Sequence, residues 1–343
     1  MKNYLFILLI CLGCASKKEI VAPTFESKIV STEKLSCRAI FVDADKVWLG
    51  MDKGRYGFYD KKKDTLVIKT IQSVSNTTEF RSIATTRESV FILAVGNPAK
   101  LIKIDKKSLQ ETIVYQEENE KVFYDSMQFV DDLNGFAMGD PTADCLSFIK
   151  TTDGGNSWQK ISCANLPKVN EGEAAFATSN TNLIVKGKSI FMVSGGKKSR
   201  VFVSLDFGTS WQVYETPIVQ GEEMTGIFTA DFYNNKIGII AGGNYLKQNQ
   251  NWSNKAITTN GGKSWQLIAE NEAFGYASCV QFVPNSNGKK LISAGGTGMF
   301  YSSDFGKSWT QFSEDKDFYT FRFESEKVFY VTGRNKLVRF EIK

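Results

Sequence analysis

The chain has 343 residues, with 42 Lys and Arg against 37 Asp and Glu. The net charge of +5 is modest and no basic run accompanies it, so nucleic-acid binding is not expected. Histidine is absent altogether, which excludes Ser-His-Asp and Cys-His catalysis and His-ligated zinc.

Residues 1–14 read MKNYLFILLICLGC, and the apolar run from Tyr4 to Leu12 is too short to span a bilayer. This predicts an export signal rather than part of the fold. Leu12-Gly13-Cys14 resembles the lipobox of bacterial lipoproteins, although Cys11 stands where Leu is usual. The resemblance implies acylation of Cys14, a tether over residues 15–25 and, with Ala15 following the cysteine, an outer-membrane location. Ordinary signal-peptide cleavage is the alternative.

Short strand-like runs fill the rest. Ser27–Ser31 is a lone strand. Cys37–Ile68 and Phe80–Tyr115 each carry several apolar runs. Four longer segments follow, over residues 122–163, 172–214, 225–268 and 276–312. A last one, 318–343, has only three strands.

The four longer segments share one phrase. Thr151-Thr-Asp-Gly-Gly-Asn-Ser-Trp158 returns at Ser204–Trp211, Thr258–Trp265 and Ser302–Trp309. Each copy places Asp or Asn (Asp153, Asp206, Asn260, Asp304) two residues before Gly and five before Trp (Trp158, Trp211, Trp265, Trp309). The carboxylate or amide oxygen can accept from the backbone of its own turn, Gly supplies positive φ, and Trp buries a large ring at the start of the outgoing strand. The phrase is identified as the Asp-box, or BNR repeat, of β-propellers. The intervals of 53, 54 and 44 residues suit a propeller blade.

The expected fold is therefore an all-β propeller of four-stranded antiparallel blades, forming a single domain over residues 26–343. The three-stranded last segment closes with the spare N-terminal strand, because a propeller must hide its sheet edges. That gives seven blades; six is the alternative. Cys145 and Cys163 lie nine residues either side of Gly154. They form either a hairpin disulfide, in an exported protein, or two buried thiols. Cys37 and Cys279 are expected to be free and structural.

In propellers, the loops at the start of the inner strands and those between second and third strands surround the channel on one face. Alignment of the repeats places Arg38, Arg81, Asp125, Glu173, Thr225, Ser278 and Tyr319 at inner-strand starts. It places Asp140, Tyr245 and Arg334 in the second set of loops. Arginine forks match carboxylates, so this face reads as a polar cup for an anionic or sugar ligand. The bland alternative is that Arg38 and Arg81 pair with Asp125 and Glu173 to tie blade to blade. No cofactor or metal is expected.

Gly96-Asn-Pro98, Gly139-Asp-Pro141, Glu171–Ala177, Gly226-Ile-Phe228 and Ala241–Tyr245 resemble exported bacterial propellers related to the photosystem II stability and assembly factors. More distantly the chain is similar to sialidases and sortilin-type propellers. The first resemblance implies a monomeric, non-catalytic protein that binds an envelope protein segment or glycan and takes part in envelope protein assembly. The second implies a glycoside hydrolase. Its arginine triad would come from Arg38, Arg81 and Arg200 or Arg334, and its acid, nucleophile and partner from Asp125, Asp140, Glu173 and Tyr245. The Arg-Ile-Pro phrase that opens sialidase domains is missing; the nearest sequence is Phe80-Arg81-Ser82-Ile83.

Overall fold

In the computed structural model, which describes residues 23–343, seven four-stranded antiparallel blades form a closed ring. Cys11, the expected lipobox residue Cys14 and most of the expected tether lie outside the described residues. Blade 1 runs from Cys37–Val42 to Thr65–Thr70, blade 2 from Phe80–Thr85 to Glu111–Glu117, and blade 3 from Tyr124–Phe129 to Gln159–Lys160. Blade 4 runs from Leu183–Lys186 to Gln212–Glu215, blade 5 from Thr225–Phe232 to Gln266–Leu267, and blade 6 from Ala277–Phe282 to Thr310–Ser313. Blade 7 contributes Phe318–Phe323, Val328–Gly333 and Leu337–Ile342, and its fourth strand is Phe25–Ser31, paired antiparallel to Leu337–Ile342. The ring closes as expected, with seven blades.

Apolar residues cluster between blades rather than within them. One cluster joins blades 1 and 2 around Trp48 and Phe80, and another joins blades 7 and 1 around Tyr330 and Leu49. Between blades 3 and 4 lie Phe148 and Phe202. Such clusters give each blade two buried faces, which is why most second strands read as near-continuous apolar runs, such as Ser89–Ala94.

The four repeated turns follow one hydrogen-bond pattern. The Asp153 carboxylate accepts from the Asn156 and Ser157 amides at 3.0 and 3.1 Å and from Ser157 Oγ at 2.7 Å. Thr151 Oγ1 accepts from Gly155 N at 3.0 Å, and Gly155 has φ +73°. Each Trp then wedges toward the preceding blade: Trp211 meets Phe148 edge-on at 5.5 Å, and Trp158 meets Phe91 at 6.4 Å. Cys145 and Cys163 are joined in a disulfide, with Cα atoms 5.5 Å apart. The register of this hairpin, Ile149 opposite Lys160, carries them into position. Cys37 and Cys279 are free and buried.

Blade 4 departs from the expected repeat. Its inner strand begins at Leu183, not near Glu173. Glu173–Ala174 instead pairs with Gly195–Gly196, in the loop between second and third strands, and Gly195 pairs onward with Gly226 of blade 5. The intervening residues Ala175–Asn182 cross the channel. Asn180 Nδ2 donates to Ile83 O of blade 2, and its Oδ1 accepts from Met127 N of blade 3, both at 2.8 Å. Ser179 Oγ donates to Ser278 O of blade 6 at 2.6 Å, and Thr178 Oγ1 donates to Phe228 O of blade 5 at 3.1 Å. Arg322 of blade 7 donates to Ser179 O and Asn180 O at 2.9 and 3.0 Å. The channel is plugged, and the molecule has two separate axial depressions.

Candidate functional site

The upper depression is built by a repeated backbone irregularity. In six blades the pairing of the inner and second strands skips one inner residue: Arg38, Arg81, Asp125, Phe228, Ser278 and Tyr319. Each is a β-bulge, a device that re-aims a side chain at the edge of a sheet. Glycine on the second strand permits it. A β-carbon at Gly333 would collide with the Asp317 carbonyl oxygen, and one at Gly295 with that of Tyr276. Blade 5 corrects the sequence alignment: its bulged residue is Phe228, while Thr225 sits three residues earlier and bonds to Gly196 and Glu222.

The bulges bring Arg38, Arg81, Asp125 and Tyr319 together, with Tyr245 and Arg334 alongside. The Arg38 guanidinium sits over the Tyr319 ring, 3.9 Å from its centre, a cation–π contact. Burial lowers its pKa, and the neighbouring Arg81 lowers it further; Tyr276, Tyr319 and Tyr245 also face it. Arg81 is held by Glu79, 2.6 Å away, which comes from its own blade. Arg38 has no carboxylate or hydrogen-bond partner among the described residues. The expected pairing of these arginines with Asp125 and Glu173 is therefore not what holds the blades together.

Glu173 is elsewhere. It accepts from Arg200 at 2.5 and 2.9 Å, from Ser194 Oγ at 2.6 Å and from Asn170 N at 2.8 Å. Its carboxylate is fully engaged in bracing blade 4. Asp140 accepts from Ala175 N at 2.8 Å, which anchors the start of the plug. Burial pushes its carboxyl up to about 6. Asp125 is fully buried, and neither carboxyl oxygen has a partner among the described residues. Burial first, then the Asp140 carboxylate, raises it well above the ordinary range, while Arg81 pulls it back. Burial and Asp140 both favour the neutral, protonated form of Asp125.

Aromatic rings form the other wall. Phe176 of the plug stacks on Phe228 at 3.8 Å, Tyr276 meets Phe228 edge-on at 4.9 Å, and Tyr245 meets Tyr276 at 5.2 Å. Tyr245 and Leu246 are exposed at 38% and 73%, so this wall projects from the face. Arg334 lies 3.9 Å from Asp317, and Tyr319 raises its pKa. Tyr276 was not singled out in the sequence, and Phe176 stood there only within the Glu171–Ala177 phrase. Tyr276 precedes the inner strand of blade 6, and Phe176 lies in an insertion that no other blade carries. The result is a cup with one free guanidinium and an apolar wall, suited to a carboxylate flanked by apolar groups. Among the described residues no group of three or more Cys, Asp or Glu could hold a metal ion.

Fold and cup define a seven-bladed β-propeller with a plugged channel. No family model and no curated protein matches the chain. Solved structures do. A YCF48 bound to D1 peptide superposes with TM-score 0.66 at 13% identity, covering 93% of this chain and 97% of that one. YCF48 from Cyanidioschyzon merolae gives 0.65 at 11%, covering 93% and 99%, and U3-55K gives 0.67 at 10%, covering 92% and 98%. At these identities the likeness is one of fold.

Proposed function

We propose that this protein is a non-catalytic propeller that binds a protein segment on its upper face, through a carboxylate flanked by apolar side chains. The observation that carries this reading is Arg38. Its guanidinium is immobilised on Tyr319, crowded by Arg81, and left without an anion of its own. An unpaired charge in a half-buried site is costly unless a ligand completes it. The peptide-bound YCF48 of similar fold is consistent with a peptide ligand. The lipobox reading adds a place: a lipid anchor at Cys14 that holds the propeller at the outer membrane, facing envelope proteins during their assembly.

Affinity capture from detergent-solubilised envelope, with wild type and an Arg38→Ala/Arg81→Ala variant, tests this. A specific protein recovered only by wild type supports the reading; equal recovery by both sinks it. The glycosidase reading requires Glu173 and either Asp125 or Asp140 to reach a sugar. Glu173 is locked by Arg200, Asp125 is fully buried, and Asp140 is engaged by Ala175 N. Sugar release from a chromogenic glycoside panel, abolished by Asp140→Asn, would reinstate it.

A further inference from the structure

The face opposite the cup is made of the turns between inner and second strands and those between third and fourth strands. Its charges are unevenly matched. On blades 1, 2 and 7 most basic residues there sit in ion pairs: Lys61 with Glu324 and Lys106 with Asp43, both at 2.5 Å, Lys62 with Asp45 at 2.9 Å and Lys107 with Glu88 at 3.4 Å. The turns of blades 4, 5 and 6 carry Lys188, Lys236, Lys263, Lys289, Lys290 and Lys307, all exposed. None of these ammonium groups has an ion-pair or hydrogen-bond partner among the described residues.

Backbone bonds fasten these turns into one surface. Phe207 N donates to Lys188 O at 3.0 Å, Gly261 N to Lys236 O at 2.9 Å and Phe305 N to Lys289 O at 2.9 Å, which joins the two turns of each blade. Asn287 N donates to Tyr233 Oη at 3.1 Å and joins blade 6 to blade 5. The carboxylates of these turns are Asp206 and Asp304, and each already accepts from the amides of its own turn. Lys186 and Asp231, lining the axial depression, add one group of each sign. Six free lysines against two engaged carboxylates leave a positive field over this half of the face. Two exposed leucines flank it, Leu133 at 58% and Leu205 at 60%.

The chain also enters the propeller on this face. Phe25 pairs with Ile342, and Lys343 N donates to Thr24 O at 3.0 Å. Cys14 lies ten positions before Thr24. Ten residues reach at most about 35 Å.

We propose that this face docks on an anionic phospholipid bilayer. The lysines of blades 4–6 meet the headgroups, Leu133 and Leu205 reach the apolar boundary, and the cup is turned away from the membrane. The choice of a membrane as partner rests on the lipid-anchor reading; the charge pattern does not.

Vesicles of phosphatidylcholine alone, or with about 30% phosphatidylglycerol, at about 0.1 M salt provide the test. The full chain is reconstituted on them from detergent, and its lysines are acetylated and mapped by peptide mass. On the anionic vesicles the six lysines should react about fivefold more slowly than on phosphatidylcholine or in detergent. Lys121 and Lys247, on the cup face, should keep their rates. Raising the salt to about 0.5 M should remove the difference. Lys236→Gln/Lys263→Gln/Lys289→Gln/Lys290→Gln should abolish protection of Lys188 and Lys307 and leave Lys121 and Lys247 unchanged. Attachment to phosphatidylcholine reports the lipid anchor by itself. An anchored chain whose six lysines react alike on both vesicles keeps the anchor and overturns the docking face. Protection on anionic vesicles in a chain that ignores phosphatidylcholine upholds the docking face and removes the anchor. No attachment to anionic vesicles, or protection of Lys121 and Lys247 instead, overturns the proposal.

Discussion

Arg322 on the inner strand of blade 7 donates to the carbonyl oxygen of Asn180, 3.0 Å away, and Asn180 in turn reaches blades 2 and 3. One arginine and one asparagine thus connect residues more than a hundred positions apart across the axis. The plug is held by polar bonds that replace what an open channel would leave to water. Replacing Arg322 with Met would strand the carbonyl of Asn180, at a cost of about 1–3 kcal/mol, and leave that of Ser179 to Thr320 Oγ1, 3.1 Å away. The expected result is a loss of about 1–3 kcal/mol in urea unfolding. Hydrogen exchange should quicken at Thr178–Thr181 before it does in the blades. An unchanged midpoint would show that the plug is held by the Thr178, Ser179 and Asn180 bonds and Phe176 stacking without Arg322.

Asp125 and Asp140 give the upper cup a pH dependence. A carboxyl whose folded pKa lies above its unfolded value binds its proton more tightly in the folded chain. The stability it contributes is complete below the unfolded value of 3.8 and is lost as pH rises to about 6 for Asp140. At about 1.4 kcal/mol per pKa unit this is at most about 3 kcal/mol. Asp125 is shifted in the same direction and adds to the loss. Asp140→Asn should flatten the decline in urea midpoint between pH 4 and 6, keeping the bond from Ala175 N through the amide oxygen. Asp125→Asn, which mimics the neutral acid, should raise stability at pH 8. A decline unchanged in both variants would assign the titration to other groups.

The ring was legible because its signals are local: the turn phrase, the strand runs and the glycine that ends most second strands recur at blade spacing. The bulge positions of Arg38, Arg81, Asp125, Ser278 and Tyr319 followed from that alignment. Phe228 did not, because blade 5 begins its inner strand three residues early to meet Gly195, a pairing between distant segments. The plug was hidden for a related reason. Glu171–Asn182 looks like the start of a strand, and only contacts with blades 2, 3, 5, 6 and 7 hold it across the channel. Glu173 pairs with Arg200, 27 residues on, which no local pattern announces.

The repeated turns carry their own control. Hydrogen bonds from Ser157 and Ser210 hold the Asp153 and Asp206 carboxyls down to about 2. Their contribution is present above the unfolded value of 3.8 and is lost as pH falls toward about 2. Asn260 keeps the same geometry with an amide, its Oδ1 accepting from Ser264 N at 3.0 Å and its Nδ2 donating to Ser264 Oγ at 2.8 Å. Asp206→Asn should therefore be milder than Asp206→Ala in melting temperature at pH 7. It should also be less sensitive than wild type to acid between pH 4 and 2. Equal losses for the two variants would mean that the turn is held by Gly208 and Trp211 rather than by the carboxylate.

The Cys145–Cys163 disulfide encloses the first of these turns, its ends separated by 18 positions in sequence. Loop closure of that length removes about 3 kcal/mol of unfolded-chain entropy. Cys145→Ala/Cys163→Ala, or reduction, should lower stability by about that amount, with the blade 3 hairpin opening first in hydrogen exchange. The other two cysteines behave differently. Burial pushes the Cys37 thiol up to about 12 and raises that of Cys279, so neither presents a thiolate in the folded protein. Alkylation followed by peptide mass mapping should leave Cys37 and Cys279 unmodified in the native state and modified after unfolding. Cys145 and Cys163 should require reductant in both states. Alkylation of Cys163 in the native, unreduced protein would show that the bridge is not formed.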